Sequence, residues 1–360
     1  MSIDELRRRI DAIDDQLLEL LDRRAHVTRE IAAEKCAAGL PAYDPERERS
    51  LLERVERSLA ARADALFPRA SVRPVFREIL SACLSLQEPQ TVAYLGPPGT
   101  FSHIAAQTAF GLAARYVETP TIGSVIDAVA RGAVIYGVAP VENSTEGGVT
   151  ATLDALLETD VLIQREFVID VPQCLIGRQH DLAKIRRVYS HPQPLAQCRQ
   201  WLARHLPHAD LVSSSSTAAA AREAALDEFA AALGSRLLAE LHELSILRES
   251  IQDRAENATR FAVIAKTDAP ATGCDKTSLA FSTAHTRGAL RRALEIFDAE
   301  GLNLTRIESR PAVGRRWEYV FFSDVEGHRT DPPVARAIER LRQECSTVRI
   351  LGSYPRSEAP

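Results

Sequence analysis

Residues 137–157 restrict the fold of this chain more than any other stretch, because they join a strand pattern to a helix pattern through a polar turn. Residues 142–148 contain two carboxylates, an amide, two hydroxyls and a glycine pair. In an open α/β sheet, ligands bind beyond the carboxyl ends of strands, and N–H groups at a helix start favour an anion. The stretch therefore predicts an α/β domain that binds a small anionic molecule, with Asn143 and Thr145 as candidate contacts. A polar capping loop without a ligand is the alternative.

Polar side chains lie at the ends of other predicted strands in the central segment. The turns GPPGTFS and SSSST each follow a strand, YSHPQPLAQC ends one, and NATRF begins one. The polar residues at or next to these strand ends include Thr100, Ser102, Gln197, Thr259 and Arg260. His191 could be a general acid or base, with a purely structural role as the alternative. Ser102 is also expected to cap the helix after its turn. Strands and helices that alternate over residues 90–266 predict two parallel-sheet lobes around a cleft.

Residues 1–88 predict helices only, beginning with a capping box formed by Ser2 and Glu5. Apolar residues then recur with a 3-4 spacing that is typical of a helix packed on other helices. Arg24 interrupts this seam, and Lys35 returns to within about 20° of the same face. The two cations therefore predict an inward-facing anion site, with surface-exposed side chains or structural ion pairing as the alternatives. The segment has too little apolar surface to close a core alone, which predicts an intertwined helical dimer.

The C-terminal segment predicts the element order βαββαβ, which is the ferredoxin-like motif. The expected strands are KTSLAFST and residues 302–310, 318–324 and 348–354, and the helices are residues 288–299 and a second that ends near residue 343. Small residues at Gly288 and Ala289 would let an amino acid approach the helix backbone. A domain that only dimerises is the alternative.

Composition excludes several classes of function. The net charge of −5 comes with no long basic block, which argues against nucleic acid as a partner. No run approaches about 18 apolar residues, and the first residues show no export signal, so neither a membrane span nor secretion is expected. Six scattered cysteines form no C-x-x-C pair, which is typical of reduced thiols without metal. The chain is therefore expected to be cytoplasmic and free of metal and cofactor.

The N-terminal pattern LRRRIDAIDDQLLELLDRR…EK…YDPERER…FREILSACLSLQ resembles the all-helical chorismate mutase domain. In that family two arginines, one from each protomer, hold the carboxylates of chorismate, and a lysine and a Gln or Glu approach the ether oxygen. The resemblance implies chorismate contacts at Arg7 (in the partner's site), Arg24, Lys35, Asp44, Arg47, Glu48, Cys83 and Gln87, with Arg24, Lys35 and Gln87 catalytic. Cys83 stands where the family often carries Ser, a stronger hydrogen-bond donor.

The central motifs GPPGTFS, PVENSTEGGV, YSHPQPLAQC and NATRF together resemble prephenate dehydratase. The resemblance implies a two-lobed, periplasmic-binding-protein-like domain in which Thr259 is the essential residue. The hydroxyl of Thr259 would assist the departure of the ring hydroxyl of prephenate. The implied prephenate contacts are Thr100, Ser102, Asn143, Thr145, Ser190, Gln197, Thr259 and Arg260.

The C-terminal motifs GAL and ESRP resemble the ACT regulatory domain, in which they line a pocket for phenylalanine. The implied contacts are Gly288, Ala289, Leu290, Glu308, Ser309, Arg310 and Pro311. Across residues 1–88, 91–267 and 276–356, the resemblance implies a homodimeric chorismate mutase–prephenate dehydratase under phenylalanine feedback. The alternatives are a dehydratase for arogenate on the same scaffold and a non-catalytic solute-binding sensor.

Overall fold

The structure is a computed structural model that describes residues 2–40, 42–145, 147–254, 256–284, 286–311 and 319–356. The chain forms two compact units. One consists of Met1–Thr91 and Gln107–Arg115, and the other of Val92–Ala106 and Tyr116–Pro360. None of the described helices is long and apolar enough to span a membrane.

The first unit is built from three helices, α1 (Ile3–Ala37), α2 (Pro45–Ala60) and α3 (Arg69–Ser85). The predicted capping box of Ser2 and Glu5 is present at the start of α1. Asp44 caps α2 by accepting a hydrogen bond from the Arg47 N–H at 2.9 Å. These local signals set the helix starts, and the sequence predicted the first of them.

The apolar seam of α1 is exposed within one chain, and Thr28 is the only buried residue among the described residues of this helix. Ile10 is 58% exposed and Leu17 is 52% exposed. The expectation that this seam packs on other helices is therefore not met within a single chain, because α2 and α3 leave most of it uncovered.

The second unit begins with a lobe that contains five strands and three helices before the chain leaves it. The strands are β1 (Thr91–Leu95), β2 (Arg115–Thr119), β3 (Tyr136–Asn143), β4 (Gly147–Gly148) and β5 (Leu162–Asp170). The helices are α4 (Phe101–Phe110), α5 (Ile122–Ala130) and α6 (Thr150–Glu158).

The next lobe has a five-stranded sheet of its own. Its strands are β6 (Cys174–Gly177), β7 (Arg187–Ser190), β8 (Asp210–Ser213), β9 (Ala230–Gly234) and β10 (Ser245–Arg248). Its helices are α7 (Pro192–Gln197), α8 (Arg199–His205), α9 (Thr217–Ala225) and α10 (Arg236–Leu241). The strand order is β10-β6-β9-β7-β8.

The chain then returns to the first lobe through β11 (Ala258–Ala265), which lies between β3 and β5 and is antiparallel to both. The first sheet thus has the order β2-β1-β3-β11-β5. In the second lobe, β6 is antiparallel to β9 and to β10. The predicted parallel sheets are therefore wrong, and both sheets are mixed. The alternation of strands and helices does not reveal whether paired strands run parallel or antiparallel when the chain leaves one lobe and later re-enters it.

The C-terminal domain has the predicted order βαββαβ. It contains β12 (Asp275–Ser282), α11 (Ala289–Ala299), β13 (Leu304–Pro311), β14 (Tyr319–Glu326), α12 (Pro332–Glu344) and β15 (Thr347–Pro355). Glu318, the predicted start of the third strand, lies outside the described residues. The antiparallel order is β13-β14-β12-β15.

The sheet of this domain is covered on both faces. Phe281 and Phe297 belong to the core that α11 and α12 close on one face. On the other face, Ala280, Phe322 and Leu351 join the core of the first lobe. The C-terminal domain therefore packs directly on the lobe that carries β3 and β11.

Gly352 allows this close packing, because its φ of +150° and its lack of a Cβ let β15 approach β5. A Cβ at residue 352 would overlap the backbone of Ile163. We expect Gly352→Ala to lower the free energy of unfolding by about 1–3 kcal/mol, as overpacking does. The matched control is Gly123→Ala in α5, where no atom lies closer than 3.8 Å and helix propensity favours alanine by about 0.5–1 kcal/mol. Calorimetric unfolding of both variants tests this, and equal transition temperatures would contradict it.

Candidate functional site

A cavity of about 350 Å³ lies in the helical unit. Seven of the eight predicted chorismate contacts line it: Arg24, Lys35, Asp44, Arg47, Glu48, Cys83 and Gln87. The eighth, Arg7, lies apart near the start of α1, where it is exposed and pairs with Asp4 at 3.5 Å. The prediction that Arg24 and Lys35 share a helix face agrees with this geometry.

The polar atoms in this cavity are of two kinds: some form hydrogen bonds within the chain, and others have no partner among the described residues. The Lys35 Nζ donates to the Ala42 carbonyl oxygen at 2.8 Å, which fixes its position. The Arg24 Nη1 and the Gln87 Oε1 are buried and have no hydrogen-bond partner among the described residues. Buried polar atoms are normally paired, so these two atoms are candidates for contacts with a ligand.

Arg77 also lines the cavity, although the resemblance to the chorismate mutase domain did not imply it as a contact. Together with Leu80, Ser81 and Leu84 it forms the face of α3 that lines the cavity. These residues follow the i, i+3, i+4, i+7 spacing of one helix face, and this spacing was the signal in the sequence that could have identified Arg77. The lining thus carries the side chains of Arg24, Lys35, Arg47 and Arg77 against those of Asp44 and Glu48. This excess of positive charge suits an anionic ligand.

A cleft of about 690 Å³ lies in the second unit, at the ends of β3 and β11. Five predicted prephenate contacts line it: Thr100, Ser102, Asn143, Gln197 and Thr259. They come from both lobes, because Gln197 is on α7 and the other four are in the first lobe.

Asn143 and Thr259 form the best-defined contact in the cleft. The Asn143 Oδ1 accepts hydrogen bonds from the Thr145 N–H at 2.9 Å and from its hydroxyl at 2.5 Å. The Asn143 Nδ2 must then face Thr259, and it donates to the Thr259 Oγ1 at 2.9 Å. Because this oxygen already accepts, the Thr259 hydroxyl proton remains available to a ligand.

The polar turn has a different structure from the predicted one. Glu142 and Asn143 extend β3, and β4 folds back on them as a short hairpin. The following helix begins at Thr150, and its N-cap residue, Val149, makes no side-chain capping bond. Glu146, the second carboxylate of the turn, lies outside the described residues.

Ser102 lies within α4 and is not the capping residue. The Thr100 Oγ1 accepts from the His103 N–H at 3.4 Å, one position before the helix begins. The expected cap is therefore wrong by two residues, since the turn ends earlier than the sequence suggested.

Three predicted prephenate contacts do not line this cleft. Thr145 lies at a neighbouring cavity of about 380 Å³ that Gln197 also lines. Ser190 is fully buried and donates to the Leu233 carbonyl oxygen at 3.1 Å. Arg260 lies on the other face of β11 and pairs with Glu142 at 3.2 Å, because successive strand residues point to opposite faces.

The cleft differs from the cavity of the helical unit in the charge of its lining. None of the described residues that line it is Lys, Arg, Asp or Glu. The first residues of α4, α6 and α9 (Phe101, Thr150 and Thr217) all line it instead. Helix starts present unpaired N–H groups and partial positive charge, so they can hold carboxylates without a cation.

The cleft also contains polar residues that were not selected from the sequence. They are Thr150, Gln173, Gln193, Ser215, Ser216 and Thr217. His191, which the sequence offered as a general acid or base or as a structural residue, also lines the cleft. The SSSST turn was visible as a polar strand end, and His191 as a residue of the YSHPQPLAQC motif. Gln173 had no such signal, because it lies in the short link between β5 and β6, outside every motif that the sequence analysis named.

The predicted phenylalanine contacts lie in two groups that no described cavity brings together. Gly288 caps α11 with a φ of +77°, Ala289 is buried, and Leu290 packs into the core of the C-terminal domain. The second group, residues 308–311, lies at the end of the edge strand β13.

Alternate residues of β13 face the first lobe. Arg310 binds the Asp154 carboxylate at 2.9 and 3.3 Å and the Thr150 carbonyl oxygen at 3.0 Å. The Glu308 carboxylate packs on Gly148, where any Cβ would overlap it. The other residues, including Ser309 and Pro311, are exposed.

Three protein families match the chain in order. Residues 6–88 match chorismate mutase type II, residues 92–269 match prephenate dehydratase, and residues 277–343 match the ACT domain. The bifunctional chorismate mutase/prephenate dehydratase of Aquifex aeolicus is 44% identical over 353 residues, which cover 98% of each chain.

Two solved structures also resemble much of the chain. The prephenate dehydratase of Arthrobacter aurescens in complex with L-Phe is 38% identical, with a TM-score of 0.68, over 74% of this chain and 90% of that one. GqqA, described as a novel type of quorum quenching acylase, is 33% identical, with a TM-score of 0.67, over 74% of this chain and 98% of that one.

His103 supports the loop that precedes α4. Its ring stacks on Tyr94 at 4.8 Å, and its Nδ1 accepts from the Gly99 N–H at 3.1 Å. Burial lowers the pKa of His103 below its ordinary value of 6.5. The folded state therefore favours the neutral ring, whose Nδ1 can accept this hydrogen bond.

We expect the second unit to lose stability as the pH falls below about 6.5, because the unfolded chain takes up a proton there before folded His103 does. The full contribution is present above the unfolded pKa. His103→Gln should reduce this pH dependence, whereas His180→Gln, at an exposed site, should not. Thermal unfolding between pH 7.5 and 5.5 measures the effect. Equal slopes for the His103→Gln variant and the unmodified chain would refute it.

Proposed function

Since the chain belongs to the bifunctional chorismate mutase/prephenate dehydratase family, we propose that it rearranges chorismate to prephenate and then converts prephenate to phenylpyruvate. The rearrangement takes place in the cavity of the helical unit, and the dehydration takes place in the cleft between the lobes. The hydrogen bond from Asn143 to Thr259 is the observation that carries the second assignment. The corresponding domains are residues 1–88, 91–267 and 276–356, and the protein works in the cytoplasm without a cofactor.

The first reaction needs no base or nucleophile, since a Claisen rearrangement breaks and forms its bonds within one molecule. The enzyme must hold a compact conformer and stabilise the charge that develops on the ether oxygen. Arg24 and Arg47 provide guanidinium groups for the carboxylates. Lys35 and Gln87 face the ether oxygen. Arg7 completes the site from a partner chain.

The second reaction removes the ring hydroxyl and the ring carboxylate together. The carbon–carbon bond to the carboxylate breaks, and its electron pair enters the ring as carbon dioxide leaves. The carbon–oxygen bond breaks at the same time, and the departing hydroxide takes up a proton to become water. Thr259 donates its hydrogen bond to that oxygen, because Asn143 occupies the acceptor side of the threonine hydroxyl.

Prephenate suits this cleft better than arogenate does. The two molecules differ in one group, a keto group in prephenate and an ammonium group in arogenate. An ammonium group taken out of water calls for a carboxylate partner. The described lining residues include no Asp or Glu, and their amides and hydroxyls suit a keto acid.

The geometry favours dehydration over acyl transfer. A threonine nucleophile needs a neighbouring base that accepts its proton. The neighbour of Thr259 is the Asn143 Nδ2, which is a donor and cannot act in this way. A solute-binding sensor would not require a threonine hydroxyl whose proton stays available, so the arrangement also favours an enzyme over a sensor.

The exposed seam of α1 supports a homodimer. Large apolar side chains such as Ile10, Ile13 and Leu17 are at least half exposed within one chain. Soluble proteins seldom leave such a continuous apolar stripe uncovered. A second copy would cover the stripe and would bring Arg7 to the neighbouring cavity.

Phenylalanine binding to the C-terminal domain regulates the dehydratase through β13. This strand contacts the cleft-lining turn at Gly148 through Glu308 and the first turns of α6 through Arg310. Both Gly148 and Thr150 line the cleft. A ligand that moves β13 therefore changes the shape of the cleft directly.

Two reciprocal substitutions test the assignment of activities. Thr259→Ala should abolish the formation of phenylpyruvate from prephenate and leave chorismate consumption unchanged, while Thr259→Ser, which keeps the hydroxyl, should retain part of the activity. Arg24→Ala should reduce chorismate turnover by at least about 100-fold, since it removes a charged contact worth about 3 kcal/mol or more, and should spare the dehydratase. Separate assays with chorismate and prephenate measure both steps. Loss of both activities in either variant would overturn its assignment.

Asp154→Asn tests the regulatory route, because it removes the charge that Arg310 binds without touching the cleft. We expect the phenylalanine concentration for half inhibition to rise about threefold to tenfold, within the range of allosteric coupling energies, while turnover without phenylalanine stays the same. The matched control is Glu339→Gln, which breaks an exposed pair with Arg342. Unchanged inhibition in Asp154→Asn would exclude this contact as the route.

A further inference from the structure

Gln173 is a buried amide in the cleft that the family resemblance does not select. It is 1% exposed, and it lines the cleft together with Asn143 and Thr259. Its Oε1 is buried and has no hydrogen-bond partner among the described residues. A buried acceptor left unpaired is unfavourable, so a partner from the ligand is the physical expectation.

The backbone of Gln173 is held firmly in place. Its N–H donates to the Gln252 Oε1 at 3.1 Å, and its carbonyl oxygen accepts from the Ile251 N–H at 3.0 Å. Two residues earlier, the Val171 N–H donates to the Asn257 carbonyl oxygen at 2.8 Å. These bonds join the two segments that cross between the lobes. The backbone of Gln173 therefore has a fixed position in the lining of the cleft.

The chemistry of prephenate identifies the partner of this acceptor. Two carboxylates and a keto group offer only acceptor oxygens, whereas the ring hydroxyl offers the one hydrogen-bond donor. Resting on the function proposed above, we infer that Gln173 binds prephenate by accepting a hydrogen bond from the ring hydroxyl. The hydroxyl is then held from two sides, because Thr259 donates to its oxygen and Gln173 accepts its hydrogen.

This assignment makes Gln173 a residue that orients the leaving group. The hydroxyl has one hydrogen and two lone pairs, so fixing the hydrogen on Gln173 directs a lone pair toward Thr259. The carbon–oxygen bond is thereby aligned for cleavage before the reaction begins. The product phenylpyruvate lacks this hydroxyl, so Gln173 contributes nothing to product binding.

Gln173→Met removes the amide and keeps a side chain of similar length. We expect kcat/KM for prephenate to fall about 10-fold to 100-fold, the effect of leaving a buried polar group unpaired. The inhibition constant of phenylpyruvate should change by less than about twofold. The matched control is Gln164→Met, because Gln164 is also a buried amide with an unpartnered Oε1 and lies outside the cleft lining.

The full chain is used throughout, with chorismate turnover and thermal unfolding as measures of folding. Should Gln173→Met unfold earlier than the unmodified chain, Gln173→Ala repeats the measurement without the thioether. An unchanged kcat/KM would overturn the inference, and so would an equal weakening of prephenate and phenylpyruvate, which would place Gln173 at the keto acid side chain. Failure of the unmodified chain to produce phenylpyruvate would instead contradict the proposed function.

Discussion

The antiparallel pairing of β11 with β3 is the constraint on which the dehydratase cleft depends. It sets Thr259 opposite Asn143, although the two residues are 116 positions apart in the chain. The same pairing places β5 on the other side of β11. The strand that returns from the second lobe is therefore central to the sheet of the first, and its first residues lie where the lobes meet. A shift of one position would turn Thr259 away from the cleft.

Successive residues of a strand point to opposite faces of the sheet, and this alternation also connects the cleft to the C-terminal domain. Asn143 and Thr259 face the cleft, and their neighbours Glu142 and Arg260 pair with each other on the opposite side. There, Arg260 lies 3.8 Å from Asp324, a buried residue of β14. Asn143 and Thr259 are thus each adjacent in sequence to one member of an ion pair that faces the C-terminal domain. The side chains of Glu142 and Arg260 are both partly exposed, so their pair adds little net stability.

The two sites differ in their electrostatic character. The helical cavity is lined by side-chain cations, which suits a rearrangement that keeps both carboxylates and develops charge on an ether oxygen. The cleft is lined by helix starts and neutral polar groups, although its proposed substrate carries as much charge. A reaction that expels a carboxylate as carbon dioxide gains from loose binding of that group, because strong pairing would stabilise the ground state rather than the transition state. In the mechanism that we propose, Gln173 and Thr259 direct the binding energy to the hydroxyl instead.

The sequence by itself determined the local features. Capping residues set the helix starts at Ser2 and Asp44, and helical spacing put Arg24 and Lys35 on one face, because these signals act along one short stretch of chain. Only the tertiary structure decided the direction of β11, the outward position of Arg260 and the presence of Gln173 in the cleft. These depend on which distant strands pair and in which register, and on where the chain crosses between lobes. No local pattern carries that information, so the residues 142–148 that first suggested an anion site acquire their chemistry only when β11 pairs with β3.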